Sequence, residues 1–66
     1  MSNTDTDRAI NELTALIRQR RVTTDDVRYL GQWVRMAGAH ACDDIRNELR
    51  KAGYDWMVDA VGASLS

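Results

Sequence analysis

One apolar stripe constrains the fold of this chain more than any other feature of its sequence. From Val27 to Ala52, small or apolar residues recur every three or four positions. At about 100° per residue, they all fall on one side of a helix. The members are Val27, Leu30, Gly31, Val34, Ala37, Gly38, Ala41, Cys42, Ile45, Leu49 and Ala52. The spacing therefore predicts one long amphipathic helix over residues 24–52.

Signals for helix ends flank this stripe. Thr23, followed three residues later by Asp26, is typical of an N-terminal capping box, and Gly53 is a typical C-terminal stop. A competing signal lies inside the segment. In "GAHACDD", residues 38–44, a glycine precedes two aspartates, and this pattern also permits a break and a new helix start. The continuity of the stripe favours the unbroken helix.

Two shorter helices complete the expected all-α fold of one domain, residues 1–66. The first is predicted near residues 5–20, with Thr4 and Asp7 as a capping pair and with an apolar face of Ile10, Leu13, Leu16 and Ile17. The third is predicted near residues 54–62, with one side formed by Tyr54, Met57, Val58 and Val61. We expect frayed ends, including the tail after Gly62. The chain is thus predicted to be a small three-helix protein around one long central helix.

Both glycines of the stripe are candidates for close helix packing. Gly31 and Gly38 lie where a neighbouring helix would contact the long helix. A residue without a side chain lets two backbones approach, which offsets part of the roughly 1 kcal/mol that a mid-helix glycine costs.

A second stripe lies opposite the first. It consists of Tyr29, Trp33, Met36 and His40, spaced four, three and four positions apart. One interpretation places these residues in an ordinary core between the flanking helices. The other, which we favour, makes them an interface with a partner protein or a second copy, since Tyr, Trp and Met are enriched at such surfaces. The arginines between the stripes would then form its rim: Arg28, Arg35 and Arg46.

Size and charge narrow the possible partners. A chain of 66 residues buries a small core, and its one cysteine, Cys42, excludes an internal disulfide. Oligomerisation, with a dimer favoured, is the stabilising device that remains. Ten acidic residues oppose nine basic ones, which argues against a general polyanion binder. No signal peptide or membrane-spanning run is apparent, so a cytoplasmic location is expected.

The cluster of Arg18, Arg20 and Arg21 is the one hint of nucleic-acid binding. Cations at the end of a helix are more often partners of the helix dipole, and a nucleic-acid surface usually shows a broader basic patch. Binding of nucleic acid is therefore the less favoured alternative.

Catalysis, metals and cofactors are not expected. His40 and Cys42 lie two residues apart, which places them about 200° from each other on a helix, so they cannot share a reacting atom. No glycine-rich phosphate loop is present, since Gly31 and Gly38 fall inside the helical pattern.

In size and class the chain resembles small helical accessory proteins of bacteriophages and plasmids. The resemblance rests on length, helicity and low cysteine content, and it transfers no residue roles. It implies a small regulator or inhibitor that occludes a partner protein. The sequence leaves two further functions open, a small nucleic-acid-associated regulator and a structural subunit of a larger assembly.

Overall fold

The protein is all-α, as predicted. A computed structural model describes residues 4–65, and no strand occurs among them. Its five helices are α1 (Thr4–Arg18), α2 (Thr24–Ala37), α3 (Ala39–Lys51), α4 (Asp55–Ala60) and α5 (Gly62–Leu65). Helix α1 packs against both α2 and α3, α4 packs on α3, and α5 packs on α2. None of the described helices combines the length and apolar character needed to cross a membrane.

The connection between α1 and α2 is built from local hydrogen bonds. At the end of α1, the Arg20 and Arg21 N–H groups donate to the carbonyls of Ile17 and Leu16 at 3.0 and 2.9 Å. This pair of bonds defines a Schellman motif, and Arg20 occupies its left-handed position with φ 57°. The predicted capping pair of Thr4 and Asp7 lies in the first turn of α1, at the edge of the described residues.

Helix α2 begins with the predicted capping box. The Asp26 N–H donates to Thr23 Oγ1, and the Thr23 N–H donates to Asp26 Oδ2, both at 3.1 Å. The two residues thus satisfy each other's exposed backbone donors at the first turn.

The prediction of one unbroken helix over residues 24–52 is wrong. Gly38 has φ 111° and ψ 178°, which interrupts the helical backbone and separates α2 from α3. An unbroken helix over this range would be about 42 Å long. The longest dimension of the molecule is only 34 Å. The apolar stripe is instead divided between two helices that each pack on α1, and its members at the break, Ala37 and Gly38, are exposed.

The C-terminal region forms two short helices, α4 and α5, instead of the predicted single helix over residues 54–62. Helix α3 ends in a second Schellman motif, in which the N–H groups of Gly53 and Tyr54 donate to the carbonyls of Arg50 and Leu49. Residues 63–65, which the sequence predicts to fray, belong to α5, which packs on α2 and buries its Leu65 side chain fully.

A single cluster of apolar side chains forms the core. The buried members are Ala9, Leu13, Ile17, Val22, Val27, Leu30, Val34, Cys42, Ile45, Leu49, Met57, Val58, Val61 and Leu65. On α1 the buried line runs through Ala9, Leu13 and Ile17, whereas the predicted Ile10 and Leu16 are only half-buried at its edges. The α1 face is therefore rotated slightly from the predicted one.

Candidate functional site

The side of α2 that points away from the core carries large apolar side chains. Tyr29 is 65% exposed and Met36 is 67% exposed, although they lie two turns apart on the same helix. Trp33, between them, is half-buried and packs against the edge of the core. We call Tyr29, Trp33 and Met36 the outer face of α2. Its middle is anchored in the fold, and its two ends lie in solvent.

Two surface depressions border the outer face. On the α1 side, Tyr29 and Trp33 line a depression of about 290 Å³ together with Asp5, Arg8 and Glu12. On the α5 side, Met36 lines a shallow depression of about 600 Å³ together with the residues Gln32, Arg35, Ala63 and Ser64. The outer face is therefore a ridge with a groove on each side, one of which carries charges of both signs and the other the single charge of Arg35.

His40 does not belong to this ridge. The sequence placed it on one helix with Tyr29, Trp33 and Met36, but the break at Gly38 puts His40 in the first turn of α3. Its side chain is exposed there. The prediction of a four-residue stripe on one helix is wrong for His40, since the periodicity cannot continue through a non-helical residue.

Two of the three predicted rim arginines bind the C-terminal helix instead. Arg35 Nη1 donates to the Ala63 carbonyl at 3.3 Å, and Arg46 Nη2 donates to the Leu65 carbonyl at 2.8 Å. Arg46 also pairs with Asp43 at 3.1 Å. Cations thus bind the last carbonyls of α5, where the helix dipole favours them. Arg28 is exposed on α2 and stays a candidate rim residue.

The two glycines of the stripe have different roles. A Cβ added to Gly31 would lie 3.3 Å from the Ser64 carbonyl oxygen and 3.4 Å from Leu65 Cδ2, so Gly31 marks the close contact between α2 and α5. The prediction of close packing at Gly38 is wrong, because among residues 4–65 no atom beyond its chain neighbours lies within 4 Å of a Cβ built there. Gly38 is needed for its backbone conformation.

Trp56 is a surface aromatic that the sequence pattern did not single out. Trp56 is 58% exposed on α4, and its ring meets that of Tyr54 edge-on with centroids 6.5 Å apart. Its position could have indicated this exposure, because Trp56 lies outside the line formed by the buried residues of this segment, Met57, Val58 and Val61.

A cationic cleft lies between the C-terminal ends of α1 and α3. Its volume is about 390 Å³, and it is lined by Ile17, Arg18, Gln19, Arg20, Glu48, Lys51 and Ala52. Arg18 spans it, with Nη2 and Nε at 3.3 and 3.4 Å from the two carboxylate oxygens of Glu48. The hydrogen bond and charge of Arg18 hold the pKa of Glu48 below its ordinary value. Arg21, the third arginine of the predicted cluster, is exposed and does not line the cleft.

The structure separates the side chains that a Cys–His site would require. Cys42 is buried and its thiol lies 3.9 Å from the Val34 carbonyl oxygen, whereas His40 is exposed. Among residues 4–65, no group of three His, Cys, Asp or Glu side chains is arranged to hold a metal ion.

Comparison with known proteins gives no relative from which a role could be transferred. No family model matches the chain, and no curated protein or solved structure is detectably similar to it.

Proposed function

We propose that this protein is a non-catalytic interaction module that regulates or inhibits a partner protein by covering part of its surface. The contact surface is the outer face of α2. The observation that carries this proposal is the exposure of Tyr29 and Met36 on a helix whose opposite side is fully packed. Aromatic and Met side chains are enriched in the centres of protein interfaces and depleted from ordinary solvent-exposed helix faces.

The anchoring of Trp33 supports the same proposal. A side chain that is already half-buried loses little rotamer freedom when a partner covers the rest of it. Tyr29 and Met36 then extend the contact along α2 in both directions. The grooves beside the ridge offer polar groups of both signs, including Asp5, Arg8 and Arg35, for the margin of the contact.

Association of two copies through this face fits the size of the chain. A small domain buries a limited share of its surface, and a dimer adds burial without a disulfide or a metal. In a two-fold arrangement, the α2 ridge of one copy would pack against that of the other, since an isologous contact uses the same patch on both. A dimer is therefore part of the proposal, in addition to the foreign partner.

A nucleic-acid-associated regulator is the alternative, and the cleft gives it one supporting observation. Arg18 and Arg20 lie beside Lys51, which extends the cluster beyond the sequence segment that suggested it. A net charge of −1 and the carboxylate of Glu48 within the cleft favour the protein partner. The role of structural subunit in a larger assembly would use the same outer face.

The test compares three purified chains: wild type, a double variant with Tyr29→Ser and Met36→Ser, and Trp56→Ser. Both changes in the double variant are at exposed positions, so circular dichroism should show an unchanged fold. Sedimentation velocity measures self-association. Binding partners captured from a cell lysate are identified by mass spectrometry, purified, and titrated directly against each chain.

We expect the double variant to lose association, with binding weakened by about 2 kcal/mol or more, or roughly thirtyfold, as truncated hot-spot residues do. Trp56→Ser, which removes a similarly exposed aromatic from α4, should bind like wild type. Equal loss in both variants would point to nonspecific hydrophobic contact. A monomeric wild type whose purified partners bind the double variant equally well would contradict the proposal.

A further inference from the structure

We propose that the cleft between the ends of α1 and α3 binds a phosphate monoester, that is, a phosphate group carried on a small organic molecule. This site is separate from the outer face of α2 and does not depend on the function proposed for it. None of the side chains that line the cleft belongs to that face.

The charge of the cleft favours an anion. Arg18, Arg20 and Lys51 contribute three positive charges, against one negative charge from Glu48 and about −0.5 from each of the two helix C-termini, so the cleft has a surplus of about one positive charge. A phosphate monoester carries a charge of about −1.5 to −2 at pH 7. The planar guanidinium groups of the two arginines can each offer paired donors to phosphate oxygens.

The ion pair inside the cleft leaves Arg18 available to a ligand. Its contacts with Glu48, at 3.3 and 3.4 Å, are long for bonds between charged groups, which are typically about 2.7–2.9 Å. The Arg18 side chain is 68% exposed. A phosphate entering the cleft would therefore compete with Glu48 for a weakly held guanidinium.

The backbone at Arg20 gives an independent reason to assign a role to this cleft. The helices α1 and α3 both end in Schellman motifs, and the left-handed position is occupied by Gly53 at the end of α3 but by Arg20 at the end of α1. Glycine is the usual residue at this position because it has no Cβ to clash. Arginine is less favourable for folding there, and what it adds is a side chain on the cleft wall. Strained residues of this kind occur preferentially at binding sites.

The base of the cleft indicates an organic substituent. Ala52 is partly exposed and contributes apolar surface beside the cationic side chains, with the fully buried Ile17 behind it, and the volume lies within the range of small-molecule sites, about 300–1,000 Å³. Inorganic phosphate would use the charges alone. A monoester with an apolar body would use the charges and the base together.

The test is a titration of the full-length, ¹⁵N-labelled chain with phenyl phosphate, followed by NMR. Inorganic phosphate and sodium sulfate at matched ionic strength serve as comparison ligands. We expect saturable shifts at Gln19, Arg20, Lys51 and Ala52, with tighter binding of phenyl phosphate than of inorganic phosphate.

Four variants separate binding from folding. Arg20→Gly should raise the Tm and yet weaken phenyl phosphate binding about tenfold, because one charge-assisted contact is lost. Glu48→Gln should tighten binding, since it removes the competing carboxylate. Arg28→Gln, which removes an exposed arginine outside the cleft, should bind like wild type, and so should the variant with Tyr29→Ser and Met36→Ser.

Several results would overturn the assignment. These are the absence of saturable shifts, unchanged binding by Arg20→Gly, or an equal loss in Arg28→Gln, which would indicate diffuse charge attraction. Binding of an oligonucleotide without binding of phenyl phosphate would also overturn it, because the cleft would then serve a nucleic-acid backbone.

Discussion

The break between α2 and α3 depends on the backbone of a single residue, Gly38, and Gly38→Ala tests this directly. At φ 111° and ψ 178°, Gly38 occupies a region that is essentially restricted to glycine, where another residue costs about 1–3 kcal/mol. In the described part of the chain, no atom beyond the neighbours of Gly38 lies within 4 Å of an added Cβ, so packing there contributes nothing to the loss. Alanine also lowers the conformational entropy of the unfolded chain relative to glycine, which offsets about 0.4–1 kcal/mol of this cost. We therefore expect a net loss of about 1–2 kcal/mol in the free energy of unfolding.

This loss is large enough to measure in a chain of this size. One kcal/mol corresponds to roughly 4–8 °C in Tm for a small domain, so thermal melts followed by circular dichroism should show a fall of about 5–15 °C. Urea denaturation at 25 °C provides the free energy itself. Small-angle scattering adds a shape measurement, because a variant that joined α2 and α3 would contain a helix about 42 Å long.

Gly62→Ala is the matched control. Gly62 also has open space around an added Cβ, but its φ lies outside the left-handed region, and it is the first residue of α5. Alanine there should be neutral or stabilise the protein by up to about 1 kcal/mol. If both variants had the same stability as wild type, with unchanged shape, the conformation of Gly38 would not be what holds the break.

Two further predictions concern local interactions. Thr23→Ala removes the acceptor for the Asp26 N–H and should lower the free energy of unfolding by about 0.5–2 kcal/mol in urea denaturation; an unchanged midpoint would show that the capping box contributes nothing. Arg18→Gln should let the pKa of Glu48 rise towards its ordinary value, as measured by NMR titration of the carboxyl carbon, and a pKa that does not move would contradict the assigned cause. Because the folded-state pKa of Glu48 is lowered, the stability contributed by its pairing is present above the ordinary pKa and is lost as the pH falls through the lowered one. The melts of wild type and Arg18→Gln should therefore converge at acidic pH.

Features determined by neighbouring residues could be predicted from the sequence. The capping box of Thr23 and Asp26 and the stop at Gly53 depend on residues within one turn, so their residue types carry the signal. The break at Gly38 had a local signal in the glycine that precedes two aspartates, but the apolar stripe was a stronger argument for continuity. The apolar spacing continues with the same phase on both sides of it, and two helices packed on α1 satisfy that pattern as well as one long helix does.

The two candidate sites differ in the same way: the first follows from residues within one helix, and the second depends on contacts between helices. The exposure of Tyr29 and Met36 follows from their position opposite the buried side of α2, and periodicity within one helix gives it. The cleft joins residues about thirty positions apart, Arg18 with Glu48, which only the packing of α1 on α3 brings together. The roles of Arg35 and Arg46 depend on α5, whose formation is stabilised by tertiary contacts with α2 and has no strong local signal.

Most of the described chain follows the rules that favour folding, and three of the exceptions, Tyr29, Met36 and Arg20, lie in the two proposed sites, whereas the exposed Trp56 lies outside them. A polar residue at position 29 or 36 would suit a solvent-exposed helix face at least as well as Tyr29 or Met36, and glycine would suit position 20 better than Arg20 does. None of these three side chains contributes to the buried core. Local departures from the favoured residue are expected where a sequence serves binding as well as stability. Because the departures lie on different elements, a single binding surface does not explain both, and variants at one site should leave the other unaffected.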